Sequence, residues 1–170
     1  MKGHFDLSDP NKDGKITREE WDSQANYMTS GKNIAFILGP GGTGELTRTH
    51  VGWKVTKGLP YIPSLLVYRG LMYLVNKQGR LSAFETKTGK EVYALEQVGL
   101  SRVYASPVAA NGHLYLCGLD REVIVVKAGP VPERVCSSEL DDRISASPAI
   151  VDNTIYIRTD KSLYAFAEAR

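Results

Sequence analysis

Much that would announce chemistry is scarce in this 170-residue sequence. It has two cysteines, Cys117 and Cys136, nineteen positions apart, with no partner ligands at metal spacing. That pattern favours a pair of buried thiols over a metal or redox site, and it leaves the compartment open. The three histidines, His4, His50 and His113, are scattered, so solvated or strand-edge roles are expected of them. There is no Gly-x-Ser-x-Gly elbow and no catalytic Cys-His signature. Charge of one sign is not in excess: the formal net charge is +2, with four Lys/Arg against six Asp/Glu in residues 1–30 and seventeen against thirteen beyond them. No basic stripe of the kind that tracks nucleic acid is present. The longest apolar stretches, "SLLVYRGLMYLV" and "VIVVKAGPV", are too short and interrupted to span a bilayer, and "MKGHFDLSDP" lacks the apolar core of a secretory signal. Neither a membrane span nor an export signal is therefore read in these residues.

What the chain does have is a repeat. Residues 1–30 are polar and helix-compatible, with Trp21, Ala25 and Met28 spaced to share one helical face in "TREEWDSQANYM". From about residue 31 the texture changes to short runs of Val, Ile, Leu and Tyr broken by Gly, Asn and Asp, the pattern of many short strands. Three stretches align, starting near Ser64, Ser106 and Ser147, with spacings of 42 and 41. They match Gly70, Gly112 and Asn153 in a tight turn, Tyr73, Tyr115 and Tyr156 in the next strand, and Phe84, Val126 and Phe166 in the one after. The first two units continue into a fourth strand, "KEVYALE" and "PERVCSS". A four-stranded unit of some 40 residues cannot bury both faces alone, so it must stack on neighbours around an axis.

"AFETKTGKEVYALE" at 83–96 resembles the tryptophan-docking motif of pyrroloquinoline-quinone-type (PQQ-like) propeller repeats, Ala-x-Asp-x-x-Thr-Gly-Lys-x-x-Trp, with Glu85 for the Asp and Tyr93 for the Trp. "ASP" before a short strand, and Gly-x-Leu-Tyr before the next, are similar to the start of those repeats. The likeness covers roughly residues 50–168; the motif decays to "VVKAGPVPERV" in the second unit, and the third stops at "LYAFAEAR". With "NIAFIL" and "VGWKVT" ahead of the units, the expected strand count is thirteen. The expected fold is mainly β, a partial β-propeller of four-stranded antiparallel blades over 31–170, preceded by a small helical segment over 1–30. An uncovered last sheet is a template for pairing, so a protein partner or a missing portion of the propeller is expected at the open edges. The helix-like segment reads as an insertion within a blade of a longer parent protein.

The opening segment carries the most specific pattern. In "DPNKDGKITREEW", positions 1, 3, 5, 6 and 12 of an EF-hand calcium loop fall on Asp9, Asn11, Asp13, Gly14 and Glu20. Lys15 at position 7 needs only its backbone carbonyl, and Thr17 at position 9 acts through water. Calcium is a hard cation that takes six to eight oxygens, and alternate side chains of a tight loop converge while the last glutamate closes the sphere. The match resembles an EF-hand over about residues 3–28, which implies a metal site at Asp9, Asn11, Asp13, Lys15, Thr17 and Glu20. It also implies that Phe5 and Trp21 pack the flanking helices together and that Ile16 is the residue that in the family pairs with a second loop, although no second loop is visible in this sequence. The competing reading is a capping box between Thr17 and Glu20 at an ordinary helix start. Capping leaves Asp9, Asn11, Asp13 and Gly14 unexplained. Pro10, a short entering helix and three ligand carboxylates point to a weak calcium site rather than a tight one.

"GPGGTGELT" at 39–47 has Glu45 where a phosphate-binding loop needs lysine, so a glycine-rich hairpin between two strands is expected. The resemblance implies further that quinone-dependent dehydrogenases of this family hold the quinone on the central axis over a tryptophan, with calcium and often a vicinal disulfide. Here no two cysteines are adjacent, the only tryptophans are Trp21 and Trp53, and the calcium-type loop lies outside the blades. The expected role is thus a non-catalytic scaffold that binds protein, with calcium and without the quinone. A fragment of a PQQ-dependent dehydrogenase is the alternative. Family members are mostly exported, which implies a periplasmic or otherwise extracytoplasmic home.

Overall fold

A computed structural model of the chain describes residues 9–30, 33–46 and 48–167. Two compact units are present, Met1–Asn33 and Ile34–Arg170. In the first, helix α1 (Arg18–Ser30) starts where Thr17 accepts the Glu20 backbone N–H on its hydroxyl at 3.2 Å. Glu19 and Glu20 occupy its first turn, where negative charge suits the helix dipole. Trp21 is 58% exposed, contrary to the expectation that it packs between two helices. Phe5, its expected partner, and the entering helix fall outside the described residues, as does the Met28 side chain.

The described residues of the second unit form thirteen strands in four antiparallel sheets. β1 (Ala35–Leu38) pairs with β2 (Val51–Val55), so the glycine-rich stretch between them is the expected hairpin connection. Sheet two runs β3 (Leu66–Tyr68), β4 (Leu71–Val75), β5 (Arg80–Glu85) and β6 (Glu91–Gln97). Sheet three runs β7 (Val108–Ala110), β8 (His113–Cys117), β9 (Glu122–Lys127) and β10 (Arg134–Glu139). Sheet four has β11 (Ala149–Val151), β12 (Thr154–Arg158) and β13 (Leu163–Ala167). Each is a meander with its strands in chain order, which is the construction of a propeller blade.

The register repeats as the sequence alignment requires. Tyr73 lies between Leu66 and Ala83, Tyr115 between Val108 and Val125, and Tyr156 between Ala149 and Ala165. The turns ahead of them share a left-handed first residue, with φ of 50° at Arg69, 49° at Asn111 and 50° at Asp152; the second is left-handed at Gly70 (79°) and Gly112 (81°) but not at Asn153. Left-handed turns of this kind match the twist of the strands they join, which explains the Gly and Asx residues found there.

Because side chains alternate along a strand, sheets two and three each feed two cores. Tyr73, Val75, Leu81 and Ala83 of sheet two meet Leu114, Leu116, Ile124 and Val126 of sheet three. On the other side of sheet two, Met72, Leu74 and Phe84 meet Ala35 and Val55. The far side of sheet three sends Cys117 against Ile144 and Ile157. Full burial of one such aliphatic side chain stabilises by about 1.5–3 kcal/mol, so these seams hold the stack together.

Burial falls along the stack. Tyr73 is fully buried, Tyr115 half-buried and Tyr156 exposed, although all three hold the same register position. The side of sheet four turned away from sheet three leaves Val151, Tyr156 and Leu163 exposed, Leu163 by 70%. The cysteines need a correction: both are free thiols, but only Cys117 is buried. Cys136 is on β10, an outer strand with all six residues exposed, so it is not half of a buried pair.

Candidate functional site

The calcium-type loop is built from side chains that hold its own backbone. Asp9, one of few buried charged residues, accepts the Asp13 N–H on Oδ1 at 3.2 Å and the Gly14 N–H on Oδ2 at 2.9 Å. Asn11 Oδ1 accepts the same Asp13 N–H at 2.9 Å, and Asp13 Oδ1 accepts the Lys15 N–H at 2.8 Å. Lys12 and Gly14 take left-handed φ values of 58° and 81°, which turn the chain tightly enough for these bonds. Asp9, Asn11 and Asp13 are thereby tied into one turn.

Glu20 is engaged elsewhere. Its Oε2 accepts the Thr17 N–H at 2.9 Å and the Thr17 hydroxyl at 3.0 Å, while its own N–H donates back to Thr17. This is the reciprocal capping box. Among the described residues no three His, Cys, Asp or Glu side chains are gathered as a metal cluster. The donors still fit a hard cation in kind: every candidate ligand is oxygen, and the first three lie on one braced turn.

A second constellation joins the blades. The backbone N–H of Ser64 donates to Ser106 Oγ at 2.9 Å, and that of Ser106 to Ser147 Oγ at 2.9 Å. The repeat's leading serines thus form a ladder from sheet to sheet. Elsewhere, at an exposed position, Asp120 accepts Arg102 Nε–H at 3.0 Å and the Ser101 hydroxyl at 2.8 Å. Arg102 first and Ser101 second hold the Asp120 carboxyl down at about 2.

Sequence reasoning missed one docking residue. Trp53 Nε1–H donates to the Thr86 carbonyl at 3.0 Å, and its ring lies over Gly89, where an added Cβ would come within 2.6 Å of it. The motif read at 83–96 is therefore the receiving half of a contact whose tryptophan lies in the preceding sheet. Trp53 and Tyr93 are separated by 40 positions, a repeat spacing that would have exposed the relationship. Tyr93, one blade on, is buried with its hydroxyl unpartnered among the described residues, and burial pushes its phenol up. Trp53 is thus committed to packing between blades.

No family model and no curated protein matches the chain. Several solved structures do. BamB from Moraxella catarrhalis is 17% identical with a TM-score of 0.58, over 69% of this chain and 37% of that one. Quinohemoprotein alcohol dehydrogenase ADHIIG from Pseudomonas putida HK5 is 16% identical with a TM-score of 0.52, over 62% of this chain and 19% of that one. A europium-containing methanol dehydrogenase is 16% identical with a TM-score of 0.51, over 66% and 24%. The chain spans little more than a third of BamB and less of the two dehydrogenases. At these identities what is shared is the fold, and the chain has the fold of a partial β-propeller.

Proposed function

We propose that the propeller portion is a protein-binding scaffold and that the loop at its N-terminal side binds calcium. The observation carrying the scaffold reading is the burial gradient: positions closed by a neighbouring sheet at Tyr73 are open at Tyr156, on a face that also presents Val151 and Leu163. An apolar face left open in this way takes a cover, either a protein partner or a further portion of the propeller, and the scaffold reading takes the first. A photo-crosslinker at Leu163 should trap a protein partner in the source cells, and one at exposed Lys87 should not. Trapping at neither position, or equally at both, removes the scaffold reading. BamB and the two dehydrogenases share the fold only; the extracytoplasmic location that the repeat resemblance implies goes with this reading.

Calcium would be held by Asp9, Asn11, Asp13 and Glu20, with the Lys15 carbonyl and Thr17 through water, and it would supply a structural cross-link. The braced turn from Asp9 to Lys15 supports this. Calcium titration should raise stability by mass action, and Glu20→Gln should weaken binding more than Lys15→Ala. No calcium-dependent heat at millimolar ion, with the helix intact, would leave only a capped helix. The dehydrogenase alternative has its own test: dye reduction that depends on added pyrroloquinoline quinone would replace the scaffold reading.

A further inference from the structure

Trp53 and Tyr93 hold corresponding places in successive seams, and their polar groups are treated differently. Between sheets one and two the Trp53 indole donates to the Thr86 carbonyl. Ala128 is the counterpart of Thr86: each donates its N–H to the carbonyl of its own blade's turn glycine, Thr86 to Gly70 at 3.0 Å and Ala128 to Gly112 at 2.8 Å. Ala128 packs against the cluster that contains Tyr93. Even so, the Tyr93 hydroxyl is buried without a partner among the described residues, and so is the hydroxyl of Tyr73. The two rings share one face of sheet two, on either side of Ala83, which pairs with Tyr73 on β4 and with Tyr93 on β6. Burial first, and the Tyr73 phenol second, push Tyr93 up; burial also pushes Tyr73 up, against the Gly129 backbone N–H beside it.

A buried hydroxyl that bonds nothing is costly, and in protein interiors such groups are met by internal water, which takes two to four polar partners. A phenol is smaller than an indole by roughly one water's share of liquid volume, about 30 Å³. We infer that the seam between sheets two and three binds one internal water, held by the hydroxyls of Tyr73 and Tyr93 and by the backbone at Ala128 and Gly129. This water does what the indole N–H does directly one blade earlier: it joins the outer strand of one sheet to a corner of the next. Val75, Leu81, Leu114 and Val126 of the same cluster are fully buried, so a water held among them exchanges slowly with solvent.

Oxygen magnetic relaxation dispersion of the solvent counts slowly exchanging waters in the full chain without interference from hydroxyl protons. One such water should be lost when Tyr73→Phe and Tyr93→Phe are combined. Each change removes a single atom, so the packing of the seam is kept. Tyr93→Phe alone should lower the melting temperature by roughly 2–5 °C, because the water loses a partner. Tyr73→Phe should cost less in that background than by itself, since the shared water is already released. A dry pair of hydroxyls gives the opposite sign: each phenylalanine then removes an unpaired buried group and raises the melting temperature. An undiminished dispersion in the double variant, a higher melting temperature with either phenylalanine, or two losses that simply add would overturn the assignment.

Discussion

Gly89 and Gly70 provide a matched pair of substitutions. Both have left-handed φ, 70° and 79°, so alanine at either position meets a similar backbone penalty. Their surroundings differ: a Cβ at Gly70 meets nothing within 4 Å, whereas one at Gly89 comes to 2.6 Å of the Trp53 ring. Gly70→Ala should cost about 1 kcal/mol, the left-handed strain of an L-residue less the entropy removed from the unfolded chain. Gly89→Ala adds displacement of the indole, with loss of its bond to Thr86 worth about 0.5–1.5 kcal/mol and part of the ring's burial besides. We expect about 2–4 kcal/mol in all, and a melting temperature roughly 3–10 °C below that of Gly70→Ala. Urea unfolding in a Trp21→Phe background lets Trp53 fluorescence report the seam directly. In a further Trp53→Phe background the excess cost at Gly89 should shrink, as a double-mutant cycle requires. Equal costs for the two glycines, within about 0.5 kcal/mol, would refute the docking argument.

The thiols should separate in reactivity: an aromatic disulfide reagent should titrate Cys136 at once and Cys117 only after unfolding. Burial pushes the Cys117 thiol up to about 12, so its proton is held more tightly folded than unfolded. Its contribution to stability is therefore full below the usual thiol range near pH 8.5 and is lost as pH rises from there towards 12; Cys117→Ala should flatten that alkaline slope in denaturation measured across pH. Thr17→Ala should cost roughly 1 kcal/mol of helix stability without calcium, because it removes the hydroxyl that accepts the Glu20 N–H. An unchanged urea midpoint in that variant would show that the cap contributes nothing.

The blades were legible because a period near 41 residues acts on every strand at once. Tyr73, Tyr115 and Tyr156 hold identical register positions because slipping by one residue would turn every apolar side chain to the wrong face. Burial was not legible from that period, since it depends on whether a neighbouring sheet lies alongside; the same tyrosine is closed in one blade and open in another. Cys136 was misjudged for a related reason: strand order, invisible in one sequence, places β10 outermost. At the loop, the spelling identified Asp9, Asn11 and Asp13 as a group. It could not decide between two roles for Glu20, because a capping box and a calcium loop both place a glutamate at that position. Trp53 was overlooked because its partner, Gly89, belongs to the next repeat.

The serine ladder has a direction. Each rung uses a backbone N–H from one blade and a hydroxyl from the next, so the giving side tolerates nearly any residue except proline while the receiving side needs an oxygen. Replacing Ser106 with alanine would therefore cut the tie to the blade before it and spare the tie to the blade after it. A lesion in this ladder travels one way, towards the N-terminus, and the two neighbours of the altered repeat are not equivalent witnesses to the damage.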